Sequence, residues 1–80
     1  MNKVSYKRKL LIYFINMYLS RKDLKMRDLM SNLRKLLEND KRISIKQFMA
    51  LMKFLEREKQ FKGVDRTKII KYFSPLIKGY

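Results

Sequence analysis

The side chains here that could do chemistry are overwhelmingly cationic. Lys and Arg number 21 against 7 Asp and Glu, a formal net charge of +14, and there is no Cys and no His. Without His the commonest metal ligand and the usual general base are missing. Without Cys there is no thiolate nucleophile, thiolate metal site or disulfide. The two glycines, Gly63 and Gly79, cannot build a phosphate-cradling loop. The few carboxylates fall at helix starts or at ion-pair spacing, where structure accounts for them. The sequence therefore predicts no enzyme, no cofactor and no bound metal. It predicts recognition of something negatively charged, because a single-sign surface is costly to fold and is relieved by an opposite partner.

Four groups of residues could carry that recognition. The first is a helical stripe, Lys46, Ala50, Lys53 and Arg57, with Gln47 and Gln60 beside it. A helix that reads a major groove needs long donors at this spacing and a small residue where backbones approach. The second is an amino-terminal arm with Lys3, Lys7, Arg8 and Lys9, suited to phosphates or a minor groove. The third is Arg34, Lys35, Lys41 and Arg42, partly neutralised by Glu38 and Asp40. Cations near a helix C-terminus are also explained by the helix dipole. The fourth is the tail, where Arg66, Lys68, Lys71 and Lys78 accompany Tyr72 and Tyr80, rings that could stack on unpaired bases.

These residues need a scaffold, and its punctuation is readable. With one Pro, two Gly and no sustained period-2 alternation, the chain reads as all-α. Ser20 with Asp23 and Ser44 with Gln47 have capping-box spacing, and Leu19/Leu24 and Ile43/Phe48 sit as hydrophobic staples. Asp65 is an N-cap candidate, with Val64 and Ile69 in staple positions and Gly63 suited to the left-handed closure before it. The reading is one 80-residue domain with helices at 5–19, 21–38, 45–61 and 66–74. Pro75 stops or kinks the last one. Asp23–Arg27 and Arg34–Glu38 have i,i+4 ion-pair spacing. Helix 1 is apolar nearly all round, which suits the middle of a bundle or a homodimer interface. Helices 2 and 3, joined by a short linker, must be neighbours and could form a helix-turn-helix-like unit. The methionines at 17, 26, 30, 49 and 52 read as core filler.

The segment 10–19 follows basic residues but is interrupted by Asn16. It also falls short of the roughly 20 apolar residues that span a bilayer. It reads as a buried helix, with no transmembrane segment and a cytoplasmic setting expected (the host's, for a viral protein). Nucleic acid is the leading partner, DNA ahead of RNA. The alternative is an acidic protein that this chain modulates or inhibits, as small phage and mobile-element proteins do. Attachment to an anionic membrane surface comes third, because helix 1 has too little polar face for an interfacial helix.

Overall fold

The computed structural model describes residues 3–21 and 25–79, with the Lys3 side chain excepted. Its described residues form four α-helices: α1 (Lys3–Leu19), α2 (Arg27–Glu38), α3 (Ile45–Leu55) and α4 (Arg66–Phe73). Short 3₁₀ turns at Lys59–Phe61 and Ser74–Leu76 complete the path. The all-α bundle expected from the sequence is what the chain forms.

α1 starts two residues earlier than the sequence predicts, so that Lys3 joins Lys7, Arg8 and Lys9 in the helix. It is the spine of the bundle and packs most extensively on α2. Leu11, Phe14 and Ile15 are fully buried, while Tyr6 and Tyr13 remain exposed. The apolar character of this helix is thus divided between core and surface.

Ser20 does not open the second helix. Its hydroxyl donates to the Met17 carbonyl at 2.7 Å and so closes α1. Asp23 and Leu24, the other halves of that expected box and staple, lie outside the described residues, as does the Asp23–Arg27 pair. α2 begins at Arg27 instead of 21, and its N-cap Met26 makes no side-chain cap. The Met26 amide donates instead to the Tyr18 hydroxyl at 3.2 Å. α2 ends in a Schellman closure: the Lys41 amide donates to Leu36 O (2.9 Å) and the Asp40 amide to Leu37 O (3.3 Å). Asp40, at φ +58°, takes the left-handed position usually held by Gly or Asn.

The Ser44 box forms as expected. The Gln47 amide donates to Ser44 Oγ at 3.1 Å, and the Ser44 amide donates to Gln47 Oε1 at 2.9 Å. Six residues, 39–44, separate α2 from α3, more than the three or four of a tight helix-turn-helix turn. That linker is tied to the C-terminal segment by a parallel bridge between Ile43 and Ile77. The Ile43 amide donates to Leu76 O at 2.9 Å and the Lys78 amide to Ile43 O at 2.8 Å.

α3 ends at Leu55, six residues before the expected 61. Bonds from Arg57 N to Phe54 O and from Glu58 N to Leu55 O tighten the chain, and Glu58 is extended. This break returns Phe61 toward the core, with ring centroids 5.5 Å from Phe14 and 6.1 Å from Phe73. Gly63 then turns at φ +81°, where only glycine is unstrained. Asp65 has the extended backbone of an N-cap but makes no side-chain cap bond. Pro75 sits within the turn Ser74–Leu76, and beyond it both Leu76 and Ile77 are fully buried.

No polar or charged side chain is fully buried among the described residues. The core is therefore held by dispersion and the hydrophobic effect alone, centred on Phe14, Phe48, Phe73, Leu33 and Leu51. The radius of gyration, 11.8 Å, is close to the roughly 12 Å expected of a compact chain this long.

Candidate functional site

α3 lies with Phe48, Leu51, Met52 and Leu55 in the core, which leaves Lys46 and Lys53 exposed on its outer side. The capping box fixes where this helix begins and so fixes the phase of that outer face. Two surface hollows flank it. One, of 330 Å³, is lined by Lys46, Ala50, Lys53 and Arg66 over the apolar Ile45 and Met49. The other, of 390 Å³, brings together Arg21, Lys25, Lys53 and Arg57 around Tyr18 and Phe54. Lys53 belongs to both, so the two cationic hollows adjoin at that side chain.

Among the described residues, the carboxylates Glu56 and Glu58 on this side are already engaged. Glu56 accepts from Arg66 Nε (3.1 Å) and Nη2 (3.0 Å). Glu58 accepts from Arg21 Nη2 at 3.3 Å, and the Arg21 guanidinium also sits over the Phe54 ring, 5.0 Å from its centroid. Among the described residues, Lys25, Lys46, Lys53 and Arg57 make no ion pair with a carboxylate. Their donors are available to an incoming anion. Phe54 is only 7% exposed and its ring is partnered by Tyr18 and Arg21, so this surface offers charge and hydrogen bonds rather than a free stacking platform.

The predicted stripe is therefore assembled in part. Lys46, Ala50 and Lys53 lie on α3, and Arg57 joins them from the turn beyond its end. Gln47 is half-buried and its side chain is occupied by the cap. Gln60 lines a separate groove and does not flank the stripe.

The amino-terminal cations are dispersed. Lys7 is half-buried, with Nζ 4.4 Å from the Tyr72 ring centroid. Arg8 is half-buried and pairs with Asp40 at 3.2 Å. Lys9 is exposed, and the Lys3 side chain lies outside the described residues. In the third group, Arg34 donates to Asn16 Oδ1 at 2.8 Å and pairs with Glu38 at 3.5 Å, which joins α2 to α1. Lys35, Lys41 and Arg42 are exposed. The tail divides as well. Arg66 belongs to the α3 surface, Lys68 and Tyr72 line the separate groove, and Lys71 and Lys78 are exposed. Tyr80 lies outside the described residues.

Sequence reasoning missed Arg21 and Lys25. They sit in the α1–α2 connection, far along the chain from Lys53 and Arg57, and no local spacing links them. Among the described residues no cluster of acidic side chains could hold a metal. Nor is any described helix long and apolar enough to cross a membrane. No family model, curated protein or solved structure matches this chain.

Proposed function

We propose that this protein is a non-enzymatic nucleic-acid-binding module that grips phosphates with the cationic surface around α3. One observation carries the reading. Lys25, Lys46, Lys53 and Arg57 line two hollows that share Lys53, and the described carboxylates beside them, Glu56 and Glu58, are already bound by Arg66 and Arg21. Lys and Arg donors arranged in this way bind phosphate oxygens and release condensed counterions, the main source of affinity in such complexes.

Duplex DNA is the favoured form. Single-strand binders combine charge with open ring faces on which bases stack. Here Phe54 is covered, and Tyr18 is half-buried with its hydroxyl held by the Met26 amide. Ala50, flanked by Lys46 and Lys53, gives a duplex backbone room to approach α3.

Fluorescence anisotropy with labelled duplex DNA, single-stranded DNA and RNA, each titrated with salt, tests the proposal. Duplex DNA should still bind at about 150 mM salt, with log K falling by about 0.9 per phosphate contact for each unit of log salt. Lys53→Glu should weaken binding at least tenfold, and Lys78→Glu should change it much less. Release of all three ligands by about 100 mM salt without preference would reduce the charge to generic stickiness and overturn the reading.

A further inference from the structure

The groove that contains Gln60 and Lys68 is chemically unlike the α3 surface. It has a volume of 420 Å³ and lies between the first half of α1 and α4 with its preceding turn. Leu10, Phe14, Phe61 and Ile69 form its floor, and Tyr6 and Tyr72 stand at its edges. The most exposed large apolar side chains of the described residues are Tyr6, Tyr13, Val64 and Tyr72. Three of these line this groove. The fourth, Tyr13, continues the i, i+4, i+7 stripe of Tyr6 and Leu10 on α1. Scattered exposed apolar residues need no explanation, but their concentration at one concave site marks a contact surface. Tyr is also among the residues enriched where proteins meet.

Charge says what kind of partner fits. Lys68 lines the groove, and Lys7, Lys9, Lys59, Lys62 and Lys71 are each next in the chain to a lining residue. Asp65 is the one carboxylate so placed. A second copy of this chain would bring the same cations against them, and each copy already carries +14. An apolar segment bounded by carboxylates would be attracted instead. The groove is lined by Tyr6, Leu10 and Phe14 at i, i+4 and i+8 of α1 and is apolar in its floor, a form suited to an amphipathic helix that docks by anchors at i, i+4 and i+7.

We propose that this groove docks an acidic amphipathic helix of a partner protein, with its apolar anchors on Leu10, Phe61 and Val64 and its carboxylates at Lys68 and Lys7. The site is independent of the α3 surface. On α4, Arg66 and Lys68 point about 200° apart around a helix of 3.6 residues per turn, one to each site.

The probe is a synthetic peptide of about 18 residues, long enough to hold helix, with Leu at i, i+4 and i+7 and Glu on the remaining faces. A scrambled peptide of identical composition keeps the charge and removes the apolar stripe. NMR titration of the full chain should move the signals of Leu10, Phe61, Val64 and Ile69, with the scrambled peptide at least tenfold weaker. Val64→Glu and Lys68→Glu should each weaken the amphipathic peptide at least fivefold. Tyr6→Glu serves as a second groove variant should Val64→Glu unfold. Lys46→Glu with Lys53→Glu should leave the peptide bound, which keeps this test separate from the nucleic-acid reading. Equal binding of the two peptides, mapping to α3, or no binding at all would each overturn the proposal.

Discussion

Arg8 leaves its Nε buried with no hydrogen-bond partner, and its ion pair reaches Asp40, whose side chain is 83% exposed. An exposed pair is worth about 0–1 kcal/mol, whereas a buried unsatisfied donor costs about 1–3 kcal/mol. Arg8→Met keeps the apolar stem and removes both. It should leave stability unchanged or raise it, as read by urea denaturation, and a loss above about 2 kcal/mol would show that the pair matters more than its exposure implies. The cap on α3 has the opposite balance. Ser44 and Gln47 satisfy each other's backbone amides, so Ser44→Ala should cost about 1 kcal/mol and should loosen the start of the helix that carries Lys46. Gly63 faces open space, and a Cβ there would meet nothing. Its φ of +81° is the constraint, and Gly63→Ala should still cost about 1–2 kcal/mol. If Gly63→Ala proves neutral, the turn before α4 adopts another backbone.

On the proposed reading, α3 is the element in which stability and recognition are separable, because its two faces have different neighbours. Phe48 is fully buried and its ring centroid lies 5.8 Å from that of Phe73. Phe48→Ala should cost about 3–5 kcal/mol, a large part of what so small a domain possesses, and circular dichroism should show a lowered melting temperature or loss of the fold. Lys46→Glu together with Lys53→Glu should leave the same melt within a few degrees while lowering DNA affinity by two orders of magnitude or more. The reverse pattern would place recognition elsewhere. This face was legible in the sequence because one local period and one local cap define it. The boundaries that differed depend on distant partners. α3 stops at Leu55 because Phe61 packs on Phe14 and Phe73, and no propensity near residue 56 encodes that. Ser20 has the right spacing to open a helix, yet its hydroxyl closes α1, and α2 begins where Tyr18 receives the Met26 amide. Arg21 and Lys25 stayed invisible for the same reason: their neighbours are set by the fold rather than by the chain.

At the scale of the molecule, the charge and the core act against each other. A +14 surface on a bundle with no fully buried polar side chain among its described residues must be held together by apolar packing while its cations repel. The described ion pairs, Arg8–Asp40, Arg21–Glu58, Arg34–Glu38 and Arg66–Glu56, each involve partly or largely exposed groups, so they offset little of that repulsion. Salt shortens the Debye length from about 30 Å at 0.01 M to about 3 Å at 1 M, and so screens the repulsion while leaving the core intact. The melting temperature should therefore rise with sodium chloride. A gain of about 1 kcal/mol corresponds to about 4–8 °C for a domain of this size. A short DNA duplex at low salt should raise it as well, by mass action on the folded state. The two effects should compete when combined: salt that stabilises the free protein releases the DNA, so the increment due to DNA should shrink as salt rises. Differential scanning calorimetry over a salt series, with and without duplex, reads both curves. If salt leaves the free protein's melting temperature flat, the cations are too far apart to strain the fold, and relief of self-repulsion cannot be what drives it toward a polyanion. If salt raises the melting temperature but the duplex increment persists at high salt, binding rests on contacts other than phosphate, and the α3 surface is not the whole interface.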